Sequence, residues 1–359
     1  MPSSLPGSDF NGDGECFWCR SDFPAYIPKG VERLRTLLDR HKNSRGEADC
    51  LVGLSGGKDS SYVALKLKTE HHLKVEAFTY NHFGLTEFAL ENARALCRDL
   101  DIRHHVVSLK DDEHLKSFRA FFEVWLHSEK PVPAAMTCVA CKHLHSLGSE
   151  LAVKRRIPMV FWSACPLEIS PILPLRLTSN SENQFKRQSV LLSGLKLVRE
   201  IAATPGFASA LAHHFGTCTK GCLGVTPTAQ YLKLRYPSVA QIMYFDYAEW
   251  RADRIVATLK ESTAWRQPGD YPDDWHSDCL FNIFKEYMFQ KMHGVSYTDA
   301  FLSNQIRKGH ISREKGWDIL AKTKEFYSAN ILSALHKVGL DHLAPRIDLS
   351  CFDIDEGTR

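Results

Sequence analysis

Cys50-Leu51-Val52-Gly53-Leu54-Ser55-Gly56-Gly57-Lys58-Asp59-Ser60-Ser61 is the stretch whose reading decides the fold. A short apolar run ends in a glycine-rich turn, and residues 60–69 then carry apolar side chains at helical spacing. The pattern is strand, tight turn, helix. Backbone N–H groups at the start of such a helix, together with its dipole, favour a phosphate. Gly56 and Gly57 let the main chain approach the anion closely, while Ser55, Ser60 and Ser61 add hydroxyl donors. The spacing differs from the GxxxxGK[ST] loop of the common nucleotide hydrolases.

Strands and helices alternate outward from this point. The pattern predicts a helix over 29–41 before the loop strand, a strand over 74–80, a helix over 86–100 capped by Thr86, and a strand over 104–109. A helix over 144–155 leads into a strand over 158–164. Strands separated by helices predict an α/β fold, a parallel sheet with helices on both faces and ligands at the carboxyl ends of the strands. After Pro166 the regularity fades. Residues 189–211 and those from Phe245 onward read as mainly helical. The expected organisation is an N-terminal tail, CxxC segment and helix (1–45), a nucleotide-binding domain (46–168), a mainly helical accessory region (169–345) and a tail (346–359).

The 359 residues are 44% hydrophobic, enough to bury a sizeable core. No apolar run reaches the roughly 18 residues of a membrane span. Residues 1–15 lack the basic and apolar blocks of a signal peptide, so a cytoplasmic protein is expected. A net charge of +3, from 45 basic and 42 acidic residues, gives no basic stripe for nucleic acid. The cluster Lys142, Lys154, Arg155 and Arg156 reads as a solvated helix face. Eleven cysteines without an export signal point to metal or sulfur chemistry rather than disulfides.

The hexapeptide Ser55-Gly56-Gly57-Lys58-Asp59-Ser60 resembles the SGGxDS loop of the PP-loop ATP pyrophosphatases, which have a HUP-like fold. The resemblance implies that the loop holds the pyrophosphate of ATP and that Asp59 helps to place Mg²⁺. It also puts adenine near the end of the second strand, where Tyr80, Asn81 and His82 lie. The implied reaction is adenylation of a substrate oxygen with release of pyrophosphate, after which a nucleophile replaces AMP.

Two further segments resemble different branches of that family. Thr137-Cys138-Val139-Ala140-Cys141-Lys142, with the helix after it, is similar to the central CxxC of tRNA 2-thiocytidine and 2-thiouridine synthetases. There the pair, with one later cysteine, holds an iron–sulfur cluster or carries sulfur. A cysteine at a helix start beside Lys142 is expected to have a lowered pKa. Zinc binding and simple burial are the other readings of this pair. Residues 300–314 (Ala-Phe-Leu-Ser-Asn-Gln-Ile-Arg-Lys-Gly-His-Ile-Ser-Arg-Glu) and Gly14-Glu15-Cys16-Phe17-Trp18-Cys19 resemble the N-acetyl sugar amidotransferases. Those take ammonia from a glutaminase partner.

A [4Fe–4S] cluster on Cys138 and Cys141 needs a third cysteine, with Cys279 favoured over Cys222. The same thiols could instead work through a persulfide. Cys16, Cys19, Cys218 and Cys222 are candidates for a structural Zn²⁺ site, with His213 or His214 as substitutes. Cys165 reads as a small buried hydrophobe at the sheet edge rather than a catalytic thiol, and Cys50, Cys97 and Cys351 as structural. The function expected is an ATP-dependent sulfurtransferase acting on a carbonyl of a nucleobase- or amide-like small molecule. The alternatives are an amidotransferase for an N-acetylated nucleotide sugar and a tRNA thiolase. Expected partners are the acceptor, a sulfur donor such as a cysteine desulfurase, and a second copy of the chain in a homodimer.

Overall fold

A computed structural model describes residues 9–21, 26–42, 47–168, 198–269, 271–272 and 276–353. Five parallel strands form one sheet in the order β3-β2-β1-β4-β5. These are β1 (Cys50–Gly53), β2 (Val75–Tyr80), β3 (Arg103–Val107), β4 (Met159–Trp162) and β5 (Ala240–Met243). The order reverses between β1 and β4, which places the crevice for a ligand at the carboxyl end of β1, where residues 55–60 lie.

Alternation along each strand divides the core between the two faces. Cys50 and Val52, Val75 and Ala77, Met159 and Phe161 point to one side. There they meet Leu34 and Leu38, the helices Lys58–Thr69 and Glu87–Asp99, and Ile255 and Leu259 of the helix Ala252–Ser262. Leu51, Phe78, Val160 and Trp162 point to the other side, against Ala152, Leu232, Tyr236 and Val239. The expected parallel sheet with helices on both faces is therefore the fold. The expected helices and strands appear within a few residues of their limits, and Thr86 caps the helix Glu87–Asp99 through the N–H of Ala89.

The sheet is not confined to residues before 168, because β5 lies beyond that point and pairs with β4 through Met159–Ala240 to Trp162–Met243. Its sequence, Ala-Gln-Ile-Met, is too short and too mixed to announce a strand. Nor does the C-terminal helical region pack by itself. Phe118, Phe122 and Trp125 of the helix Glu113–Ser128 share one core with Phe281, Phe284 and Tyr287 and with Tyr327, Ile331 and Leu335. Residues 189–197, read as helical from sequence, fall outside the described residues, whereas Phe207–His213 is helical as expected. Among the described residues no helix is long and apolar enough to cross a membrane.

The end of the sheet opposite the loop is tied by charge. Glu76 is buried and accepts from Arg155 Nε (3.1 Å) and Nη2 (2.7 Å), and it pairs with His105 Nε2 at 2.7 Å. Burial opposes ionisation of Glu76, but Arg155 and His105 outweigh it and lower its pKa. Glu76→Ala should cost about 2–3 kcal/mol in urea unfolding, because it strands a partly buried guanidinium. Arg155 keeps Glu47 at 2.6 Å, which limits the loss.

Candidate active site

The turn after β1 can be built only with glycine at its second position. Gly56 has φ +84°, and a β-carbon there would lie 1.8 Å from the carbonyl oxygen of Ala89. The carbonyl of Gly56 accepts from Trp265 Nε1 (3.0 Å) and Asn92 Nδ2 (3.4 Å). Asn92 also joins the main chain of Arg266, receiving its N–H at 3.1 Å and donating to its carbonyl at 2.8 Å. Ser55 and Ser60 hydroxyls stand 3.1 Å apart, and Ser60 Oγ also receives the N–H of Ser55. Gly57 caps the helix Lys58–Thr69 without a side-chain bond. Ser61 Oγ is fully buried with no hydrogen-bond partner.

Lys58 is buried, with Nζ 3.5 Å from Asp59 Oδ2 and 5.8 Å from the centre of a Trp250 ring. Trp250 Nε1 donates to Asp59 Oδ1 at 2.8 Å. Phe301 and His310 pack on that indole at 5.8 and 6.1 Å, so residues 300–314 reach the loop through it. Trp250, Trp265 and Asn92 were not legible as site residues, since each lies far from the loop in sequence and belongs to no motif.

The nucleotide-strand residues divide. Asn81 is half-buried at the end of β2, its N–H given to Val107 O at 2.8 Å. Tyr80 instead points into the core, where its hydroxyl lies 2.8 Å from His114 Nδ1 and donates to Ala140 O at 3.3 Å. His82, His114 and Phe281 stack at 5.2–5.7 Å. Burial lowers the pKa of both histidines, that of His114 well below the usual value, so both are neutral.

The central CxxC occupies a turn between the helices Pro131–Met136 and His143–Arg155. Its position is fixed from several sides. Tyr80 holds the Ala140 carbonyl; His143 Nε2–H donates to Thr217 O (2.9 Å) and His145 Nδ1–H to Gly224 O (2.7 Å). Gly221 meets Val139 so closely that a β-carbon would lie 2.3 Å from its carbonyl oxygen. Cys279 arrives from the turn before the helix Phe281–His293, bridged in antiparallel fashion to Leu85, and lies within electrostatic reach of Cys141 and Cys138. Cys222 is exposed on the helix Phe215–Leu223.

The lowered thiol pKa expected from the helix start and Lys142 is not found. Burial pushes Cys141 up to about 11 in spite of Lys142, and Cys279 well above its usual value. The four-thiolate zinc set does not assemble either. Cys16 and Cys19 face each other at 3.4 Å beside Arg307, whereas Cys218 packs with Phe121, Val139 and Phe207. His213 bonds Ser209 and His214 bonds Glu113. Among the described residues no three His, Cys, Asp or Glu side chains stand together as a metal site. Cys165 is buried near Asp59 and Glu168, its pKa raised mainly by burial.

Sequence reasoning missed a polar group at the mouth of β4. Glu168 pairs with His276 Nε2 at 2.6 Å, and Lys285 Nζ lies 3.5 Å from the same nitrogen. Burial opposes the charge of Glu168, yet His276 and Lys285 hold its pKa at about 2.

A glycine-turned loop at the carboxyl end of the first parallel strand, at the switch point and with a buried lysine and an orphaned serine, defines a PP-loop ATP pyrophosphatase. The family model described as asparagine synthase matches residues 33–265, and the chain belongs to that family. It is similar to the tRNA-specific 2-thiouridylase MnmA of Bartonella quintana, 31% identical over 117 residues, which are 30% of this chain and 28% of that protein. It is also similar to tRNA-specific 2-thiouridylase MnmA 2 of Phocaeicola vulgatus, 33% identical over 96 residues, 26% of each. The match thus spans little more than a quarter of the curated relatives' length. A U34-tRNA thiolase NcsA from Methanococcus maripaludis, solved with its [4Fe–4S] cluster, aligns with 13% identity and TM-score 0.37, covering 96% of this chain and 86% of that one.

Two outcomes check this geometry. Gly56→Ala should destabilise the protein by about 2–4 kcal/mol and abolish nucleotide binding, read by thermal melting and calorimetry. Glu168 has a depressed folded pKa, so its contribution is present above the ordinary carboxylate value near 4.5 and lost as pH falls towards about 2. Glu168→Gln should therefore cost about 2 kcal/mol at pH 6, and the difference from the native protein in urea midpoints should shrink below pH 4.5.

Proposed function

We propose that the protein is an ATP-dependent sulfurtransferase that adenylates a carbonyl oxygen and replaces it with sulfur. The observation that supports this reading is that Cys279 lies within electrostatic reach of Cys141 and Cys138 and follows Asp278, whose carboxylate abuts the pyrophosphate loop at Gly57. Three thiols drawn from two distant segments are of no use to ammonia transfer.

In the first step the substrate carbonyl oxygen attacks the α-phosphorus of ATP and pyrophosphate leaves. Loop N–H groups, Ser60, Ser61 and Lys58 take up its charge. Asp59, held by a hydrogen bond from Trp250, would hold the Mg²⁺ that such a triphosphate carries. In the second step the terminal sulfur of a cysteine persulfide, supplied by a sulfur-donor protein, adds to the activated carbon and AMP departs with the oxygen. A second cysteine thiolate then attacks the persulfide's inner sulfur. The S–S bond breaks, the thiocarbonyl product leaves, and an enzyme disulfide forms, which a dithiol reductant restores. The three thiols are the soft donors that a [4Fe–4S] cluster takes, but they do not stand as a ready metal site, so the steps run through the thiols alone.

A tRNA acceptor is a second reading of the substrate, favoured by the likeness to tRNA-specific 2-thiouridylases. A nucleobase carbonyl is the reacting group under both readings. Glutaminase-fed amidation is the remaining alternative, supported by the contact of Cys19 with Arg307, which joins the two segments that resemble sugar amidotransferases.

Cys138→Ala, Cys141→Ala and Cys279→Ala should each lower thiolated product at least 100-fold while leaving ATP–pyrophosphate exchange within about threefold of the native rate. Mass spectrometry of anaerobic reactions supplied with a cysteine desulfurase, cysteine and a dithiol reductant, using unmodified tRNA in one arm and free nucleosides in the other, identifies the acceptor. A nitrogen-containing product formed from ammonium salts by all three variants would refute sulfur transfer.

A further inference from the structure

Asp278 brings a carboxylate to a place built for anions. A β-carbon on Gly57 would lie 3.3 Å from Asp278 Oδ2 and 3.4 Å from Ser55 Oγ, so the carboxylate abuts the main chain of the phosphate loop. Main-chain bonds keep it there. Thr86 N–H donates to Asp278 O at 3.1 Å, Thr86 Oγ1 to Ser277 O at 3.2 Å, and Leu280 N–H to Gly84 O at 2.7 Å. The loop alongside offers the start of a 12-residue helix, a buried lysine, the Asp59 carboxylate and the unpartnered, fully buried Ser61 hydroxyl. Two carboxylates next to a pyrophosphate would repel it unless a divalent cation lay among them. Mg²⁺ is ordinarily bound by one or two carboxylates together with substrate phosphates.

We propose that Asp278 is a second carboxylate ligand of the loop's divalent cation, so that the loop accepts the pyrophosphate end of ATP only as a metal complex. The inference rests on the reading of residues 55–61 as a pyrophosphate loop. It adds a ligand from outside the sheet, next in sequence to Cys279. The cation thereby ties the activation half of the site to the turn that carries the third thiol. Asp59 alone, on the first turn of its own helix, makes no such tie.

Calorimetric titration of inorganic pyrophosphate into the full chain, with excess Mg²⁺ or with EDTA, tests it. The native protein should bind at least tenfold more tightly with Mg²⁺. Asp278→Asn should bring that ratio below about threefold, chiefly by binding pyrophosphate better in EDTA, because the repulsion is gone while the main-chain bonds remain. Asp278→Ser repeats the measurement should the amide disturb the turn. Electron paramagnetic resonance of Mn²⁺ with pyrophosphate should show a bound signal that weakens in both variants. Tight binding with an unchanged metal ratio in both variants overturns the role of Asp278 and leaves the loop reading intact. Absence of pyrophosphate binding under every condition overturns both.

Discussion

Residues 84–86 and 278–280 run antiparallel beside each other, Leu85 opposite Cys279, and most of the site depends on that single bridge. On one side is the connection leaving the nucleotide strand, on the other a turn near the far end of the chain. A few backbone hydrogen bonds at about 1 kcal/mol each would not hold such a junction alone. Phe281 supplies the rest. Its ring stacks on His114 at 5.2 Å and 5°, and packs against Phe118 at 4.4 Å inside a core of buried aromatics. Gly84 is required for this approach, since a β-carbon there would lie 2.6 Å from the Phe281 ring. The helical layer is thereby fastened to the sheet edge, and His276, Asp278 and Cys279 are carried to Glu168, the phosphate loop and the central CxxC.

The same junction explains why the histidines beneath it are neutral. His82 and His114 lie between the aromatic ring of Phe281 and the buried Tyr80, and a charged imidazole there would lose its hydration with little in return. Tyr80 passes the constraint onward, touching His114 with its hydroxyl and the CxxC turn at Ala140 O. A residue that looks like a nucleotide contact from its place at a strand end is thus a strut between the sheet and the thiols.

The sheet was legible because its information is local. Residues 50–61 carry strand, turn and helix in one uninterrupted pattern, and the glycine that only glycine can replace stands inside it. β5 was not legible, since four residues of mixed character become a strand only by pairing with β4. The site divides in the same way. Ser55 to Ser61 could be read in place, whereas Trp250, Trp265, Asn92 and Glu168 act through contacts made across 100 residues or more of chain in most cases. The thiol pKa departs from its sequence expectation for a related reason. A helix start and a neighbouring lysine are visible in sequence, but the desolvation that outweighs them for Cys141 comes from tertiary packing around a turn held by residues as distant as Tyr80 and Thr217.

Raised thiol pKa values bear on the order of events. A thiol pushed up to about 11, as at Cys141, and one raised well above its usual value, as at Cys279, both favour the protonated form at neutral pH, which disfavours oxidation and premature attack. Persulfides are more acidic than thiols, so in the proposed reaction loading sulfur onto one of these half-buried cysteines would itself generate an anionic nucleophile where a bare thiol would stay neutral. Lys142 and Lys285, whose charges oppose the burial at Cys141, favour that anion. Burial and nearby cations act in opposite directions on the bare thiol and in the same direction on selectivity. Under the proposed sulfur transfer the site would stay quiet until a persulfide is loaded, and that persulfide is the species the surrounding charges would stabilise.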